Sequence, residues 1–187
     1  MPLDIGFQIG CTSESCGKAD VKQYQSAIGA LMYLAICTRP DILHSVAKLA
    51  QRNHNPHKEH ESGIKHILRY LSMTEDYKLV YRRTGKQIEG FADADWGSNS
   101  LDRKSYTGYV FFLGGSAVSW ESKRQSSVAL SSTEAEYIAL SSAAKEAVYL
   151  RRLIAEIGVL NNNNVSDLLV LRKSDEKVLD YYILQPE

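Results

Sequence analysis

No run of about 18 apolar residues occurs anywhere in the sequence, so no membrane-spanning helix is expected. A net charge is missing as well. The 22 basic side chains are matched by 22 acidic ones, which excludes a polyelectrolyte tail but leaves room for a locally basic face. Cysteine is scarce and odd in number, with three residues in 187, so a disulfide framework is not expected; reduced thiols in an intracellular protein are. No zinc-ligand spacing forms around Cys11 and Cys16, and Cys37, inside an apolar run, is expected to be buried. The first ten residues lack a basic segment followed by an apolar one, so no secretory leader is expected. No internal repeat recurs at a period of about 20–50 residues. What remains is an ordinary globular composition, 44% apolar and 24% charged, at a length that suits one domain, or one and part of a neighbour.

Periodicity divides the chain into a helical and a strand-rich part. Val21, Tyr24, Ile28, Leu31 and Leu34 recur at helical spacing. Pro40 and Asp41 suit the first turn of a second helix, reaching about Arg52, and Asn55-Pro56 breaks it before a third over residues 57–71. The period then shortens to two. Strands are expected at 77–81, 88–95, 106–113 and 116–120, with Gly114-Gly115 as a two-residue hairpin turn and 128–130 as a continuation of the sheet. Ser131 or Ser132 then caps a long helix ending near Gly158, and residues 168–171 read as a strand able to pair with the first across that helix. The expected fold is mixed α/β, preceded by a small three-helix subdomain.

Four features could carry chemistry. Asp93 and Asp95 lie on one face of a strand, about 7 Å apart, and would repel each other unless a cation intervened. For Asp95 a turn ending the strand is the simpler reading; for Asp93, deeper in the run, structural and functional readings both stay open. Glu136 shares a helical stripe with Leu140, Ala143, Ala147, Leu150 and Ile154, and a carboxylate turned inward is costly unless paired, protonated or metal-bound. A capping box fits twice, as Ser131 with Glu134 or Thr133 with Glu136, and if Ser131 is the cap Glu136 has no structural duty. Arg103-Lys104 and Lys123-Arg124-Gln125 flank the hairpin and suit phosphate contacts, with solvated loops as the alternative. His54, His57, His60 and His66 cluster without a His-Glu-x-x-His order, so a solvated face is expected and a zinc-binding helical module is the weaker alternative.

Longer motifs bring in a resemblance. Tyr24-Gln25-Ser26-Ala27-Ile28-Gly29-Ala30-Leu31, Thr38-Arg39-Pro40-Asp41-Ile42 and His66-Ile67-Leu68-Arg69-Tyr70-Leu71 resemble the segment after the reverse transcriptase palm in copia-type LTR retrotransposon Pol polyproteins. Ala92-Asp93-Ala94-Asp95-Trp96, Asp102-Arg103-Lys104-Ser105, Gly108-Tyr109-Val110-Phe111-Phe112-Leu113-Gly114 and Leu130-Ser131-Ser132-Thr133-Glu134-Ala135-Glu136-Tyr137 resemble the ribonuclease H domain of the same family. The resemblance implies a tail or severed connection over 1–20, a helical connection or thumb-like segment over 21–84, an incomplete RNase H-like domain over 85–171 and an unrelated tail over 172–187. It implies a sheet with helices on both faces, and cleavage of RNA in RNA–DNA hybrids with two Mg²⁺ (or Mn²⁺) on four carboxylates. By position Asp93 resembles the first carboxylate and Glu136 the second, while Arg103, Lys104, Lys123, Arg124 and Gln125 would touch the nucleic acid.

The family's third carboxylate follows a strand after the long helix, where this sequence has Arg172-Lys173, with Asp175 a few residues late; the fourth has no counterpart. Cations beside a Mg²⁺ site reverse an attraction, so weak metal binding and impaired cleavage are expected. The alternative is a catalytically inactive nucleic-acid-binding or structural remnant. The expected partners are an RNA–DNA hybrid or other nucleic acid, a polymerase palm upstream in the parent polyprotein, and a second copy through an uncovered sheet edge; no membrane is expected.

Overall fold

Asp20 starts the first helix, its Oδ1 accepting the Gln23 N–H at 2.9 Å. This is seen in a computed structural model that describes residues 1–3, 7, 17–85, 87–97 and 102–158 and the backbone of Leu169–Lys173. The described chain forms two compact units, one ending at Lys78 and the other beginning at Leu79. Cys11 and Cys16 lie outside the described residues. Among the described residues no helix is long and apolar enough to cross a membrane.

The first unit contains α1 (Val21–Cys37), a 3-10 turn (Pro40–Ile42), α2 (Leu43–Ala50) and α3 (Lys58–Met73). The inward stripe of α1 is Tyr24, Ile28, Leu31 and Ala35. Cys37, expected to be buried, is exposed: two residues past Ala35 is more than half a turn round the helix, so it faces away from that stripe. Tyr24 is 2% exposed and its hydroxyl donates to the Leu49 carbonyl at 2.9 Å, joining α1 to the end of α2. Burial pushes this phenol up to about 12.

Arg39 explains the Thr-Arg-Pro-Asp motif physically. Its guanidinium, in a residue only 7% exposed, donates to Asp41 at 3.0 and 2.8 Å, to the Thr74 carbonyl at 3.0 Å and to Thr74 Oγ1 at 2.6 Å. The Tyr70 and Tyr77 rings lie 5.6 and 5.9 Å from its central carbon. Pro40 presets the turn that brings Asp41 back onto Arg39, and Thr74 caps the end of α3, so one buried cation fastens the start of α2 to the far end of α3.

The histidine cluster is the expected solvated face only in part: His54 is exposed and His57 and His66 half-exposed. His60 is fully buried, and its Nδ1 accepts the His57 N–H at 2.9 Å in a reciprocal capping box that opens α3. An acceptor at Nδ1 carries its proton on Nε2, so His60 serves as a neutral helix cap. The zinc-binding alternative is not supported: no three metal-ligating side chains gather among the described residues.

The second unit holds β1 (Ile88–Asp95), β2 (Tyr106–Leu113), β3 (Ser116–Arg124), α4 (Ser132–Ile157) and β4 (Leu169–Lys173), with the sheet in the order β3-β2-β1-β4. β1, β2 and β3 are antiparallel, and β4 returns parallel to β1, from Ile88 beside Leu169 to Ala92 beside Lys173. The mixed α/β fold is thus the one the alternating periods imply. The hairpin turn has left-handed φ of 64° at Gly114 and 87° at Gly115. Residues 77–81, expected as a strand, are not one of the sheet's strands. Leu79 packs on an apolar face instead, the Tyr81 hydroxyl donates to the Ala117 carbonyl at 2.7 Å, and the Arg82 N–H donates to Gly114 at 2.8 Å. Residues 128–130 also leave the sheet, because β3 ends at Arg124 and the chain turns toward α4.

Strand alternation separates two apolar layers. Ile88, Ala92 and Phe111 pack with Ala143, Ala147, Leu150 and Ile154 of α4. Phe91, Val110, Phe112 and Ala117 form the opposite layer with Leu79 and Trp120. The buried stripe of α4 is Ala135, Ala139, Ala143, Ala147, Leu150 and Ile154; Leu140, expected on it, is 43% exposed. Glu136 therefore stands at the margin of the packing face, next to Ala135.

Two outcomes follow for the helical unit. Arg39→Lys keeps the charge but loses the planar fork, and should cost about 2 kcal/mol in urea unfolding. The phenols of the buried Tyr24 and the half-buried Tyr70 both sit at about 12, raised above the usual 10 chiefly by burial. Their contribution to stability is complete below pH 10 and fades as pH climbs through 12, so helicity should fall there in step with tyrosinate absorbance, and Tyr24→Phe should reduce the loss.

Candidate functional site

The carboxyl end of β1 collects most of the residues singled out above. Ala94 pairs with Thr107 and Asp95 with Tyr106, while Thr107 pairs with Lys123 and Tyr106 with Arg124. Gln125 then ties this level to the helix: its Nε2 donates to Thr107 Oγ1 at 3.1 Å and to the Ala135 carbonyl at 3.0 Å. The first turn of α4 is thereby held level with Ala94. β4 runs parallel beside β1 and its last described residue, Lys173, is level with Ala92.

Asp93 is half-buried opposite Gly108 on β2. Alternation puts it on the Phe91 side of the sheet, whereas α4 covers the Ala92 side. Glu136, also half-buried, follows the fully buried Ala135 on α4. The two acids share one end of the sheet, approached from its two faces. Asp95 is exposed and is followed by a turn at Trp96-Gly97, with Gly97 at a φ of 61°, which fits its reading as the residue that closes the strand.

Ser131 is the N-cap of α4, accepting the Glu134 N–H at 3.1 Å, and Glu134 Oε2 accepts the Leu130 N–H at 2.7 Å. Of the two capping boxes the sequence allows, only the Ser131 half of the first is formed, because Glu134 reaches back one residue further to the Leu130 N–H, and Glu136 is left outside the cap.

A two-ion site on four carboxylates does not fit the described donors. No three His, Cys, Asp or Glu side chains gather to hold a metal among the described residues. The register sets Arg172 beside Phe91 and Lys173 beside Ala92 at the strand end next to Asp93. Asp167, Asp175 and Asp180 lie outside the described residues.

The two basic segments are brought together. Arg124 Nη1 meets Asp102 Oδ2 at 2.6 Å, Asp102 Oδ1 accepts the Lys104 N–H at 3.2 Å, and Lys104 Nζ donates to the Ser126 carbonyl at 2.6 Å. Arg103 takes a left-handed φ of 57°, which is unfavourable for a residue with a Cβ, inside the turn that the Asp102 Oδ1 bond to the Lys104 N–H closes around it. Arg103, Lys123 and Arg124 are exposed and Lys104 half-exposed. Gln125 is a correction: expected at a nucleic-acid surface, it is 5% exposed and its amide nitrogen is committed to Thr107 and Ala135, so it acts as a brace.

Sequence reasoning assigned no structural role to Ser105, Asp102 or Trp96. Ser105 is fully buried, accepting the Gly97 N–H at 3.1 Å through its hydroxyl and the Gln125 N–H at 2.8 Å through its carbonyl. Asp102 organises the basic loop, and its place two residues before Lys104, an Asx-turn spacing, was the available signal. Trp96, half-exposed, donates its indole N–H to the Ala129 carbonyl at 3.2 Å, a contact no local pattern announces.

Comparison with known proteins finds relatives among transposon proteins. The chain is similar to the retrovirus-related Pol polyprotein from transposon TNT 1-94 of Nicotiana tabacum, 45% identical over 148 residues, or 79% of this chain and 11% of that protein. It is similar to the Pol polyprotein from transposon RE1 of Arabidopsis thaliana, 38% identical over 75% of this chain and 10% of that protein. It is also similar to the secreted RxLR effector protein 161 of Plasmopara viticola, 48% identical over 68% of this chain and 90% of that protein. The chain spans about a tenth of the length of these two polyproteins. No family model and no solved structure matches it.

Ser131→Ala should cost about 1 kcal/mol in denaturant unfolding. It should also speed amide exchange over the first turn of α4, the turn that leads into Glu136, while exchange in β1 stays unchanged.

Proposed function

The chain belongs to the Pol family of copia-type retrotransposons, and on that premise we propose that it is an RNase H-like domain of retroelement origin. Its lineage activity is Mg²⁺-dependent cleavage of the RNA strand in RNA–DNA hybrids; in this chain that activity is impaired while nucleic acid is still bound. The observation that carries the reading is the placing of Asp93 and Glu136 at one end of the sheet with no third acid grouped with them among the described residues. Cleavage by this lineage needs carboxylates to bind and orient ions around a phosphodiester, and half of that set is missing from the sequence motifs. Asp93 and Glu136, reached from the two faces of the sheet, can each still accept hydrogen bonds.

Binding rests on Arg103, Lys104 and Lys123. Arg124 contributes less because Asp102 partly neutralises it, an exposed pair of small energetic weight. On this reading the parent polyprotein supplies the polymerase palm, and an uncovered sheet edge offers a route to self-association.

A labelled RNA–DNA hybrid incubated with the full chain in Mg²⁺ or Mn²⁺ tests the reading. No turnover above background is expected, together with retention of the hybrid at low salt and a slope of log affinity against log salt of about −3, for roughly three phosphates neutralised. Cleavage abolished by Asp93→Asn would show an intact nuclease and overturn the impairment. Failure to retain the hybrid at low salt would overturn the whole reading.

A further inference from the structure

We propose that Trp96 is a stacking platform for an unpaired base of a single-stranded nucleic acid segment lying along the basic loop. This rests on the nucleic-acid reading above and adds to it a residue, a contact type and a strand state. Trp96 is 49% exposed even though a tryptophan gains most from full burial. The chain's other tryptophan, Trp120, packs against the second apolar layer. The exposure of Trp96 is also fixed in orientation, since the indole N–H is anchored on the Ala129 carbonyl at 3.2 Å. A half-exposed ring anchored by its edge loses little freedom when a planar partner lands on it.

The neighbourhood selects the partner. Ala129, which holds the indole, lies between Val128 and Leu130, two further apolar residues that are 46% and 88% exposed. The Arg103 guanidinium lies 3.5–3.9 Å from where a Cβ on Gly97 would stand, which places a cation over the residue directly after Trp96. Lys104, bonded through Nζ to Ser126, adds a second. The nearby acids are accounted for in part: Asp102 is paired with Arg124, and Glu134 is bonded to the Leu130 N–H. Asp95, exposed at the end of β1, is the group that opposes a phosphate here. An aromatic ring followed by a residue with a guanidinium over it, on a loop that also carries Lys104, matches a nucleotide, whose base offers a π-face and whose phosphate offers the opposite charge; a stacked duplex interior offers no free face.

The chain has two tryptophans, so Trp120→Phe leaves Trp96 as the sole indole reporter. Titration with a twelve-nucleotide oligo-dT DNA, which is not a substrate for RNA cleavage, should quench its fluorescence saturably in Mg²⁺ and again in EDTA. Trp96→Ala should weaken oligo-dT binding roughly tenfold, and Trp96→Phe, which keeps a ring but loses the N–H, by no more than about threefold. If Trp120→Phe does not fold, the quench of the wild type minus that of Trp96→Phe reports the same quantity. An unquenched Trp96, or a Trp96→Phe defect as deep as that of Trp96→Ala, overturns the proposal. So does a blue shift that grows with protein concentration alone, which would mean that a second copy covers the ring. Because oligo-dT is not cleaved, failure of the nuclease reading and failure of stacking are separate results.

Discussion

Four alanines, Ala135, Ala139, Ala143 and Ala147, set α4 against the sheet, and the arrangement of the candidate site follows from that contact. Small side chains at every fourth position let a helix lie close over Ile88, Ala92 and Phe111, and the larger Leu150 and Ile154 complete the layer at its far end. Bulkier residues there would lift the helix and withdraw Glu136 from the end of β1. The same close approach allows Gln125 to reach both Thr107 and the Ala135 carbonyl, and allows Ser119 to bond Glu146 at 2.6 Å.

The end of β1 is assembled from short polar ties more than from apolar burial. The peptide between Ala129 and Leu130 is held on both sides, its carbonyl by Trp96 and its N–H by Glu134. Ser105 holds Gly97, and Asp102 holds Lys104 and Arg124. Each tie is worth little singly, about 1 kcal/mol net, but together they order a loop surface that has few apolar contacts of its own. Such a surface can present cations and one aromatic ring in fixed places, which is what recognition of a charged, planar polymer requires.

The helical unit solves a different problem. Its three helices need a fastening between elements distant in sequence, and Arg39 and Tyr24 supply it with buried polar groups whose bonds are satisfied. A buried guanidinium is tolerable because Asp41, Thr74 and two aromatic rings replace its water. The pairing of Asp41 with Arg39 shows why the motif reads as one unit along the chain: the two residues bend back on each other across Pro40.

Helices 1 to 3, the three antiparallel strands, the Gly114-Gly115 turn, the long helix with its Ser131 cap and the strand returning beside β1 were all legible in the sequence, because local periodicity and turn chemistry decide them. So was the family, because its motifs are long and occur in order. The faces were less legible. Cys37 turned outward and the first two members of the α4 stripe are Ala135 and Ala139 in place of Glu136 and Leu140, because a helix's inward side is chosen by what it packs on and several rotations satisfy a mixed apolar pattern. Residues 77–81 had a strand's composition, but Leu79 is engaged with an apolar layer and the Tyr81 hydroxyl with the Ala117 carbonyl. His60 and Gln125 looked like surface chemistry and became internal braces, since a polar side chain's role depends on partners the fold brings from elsewhere. The sequence by itself determined which segments are helix or strand and which acids and bases the chain owns. Only the tertiary structure decided which of them stand at one end of the sheet, because that depends on contacts across tens of residues that no local pattern encodes.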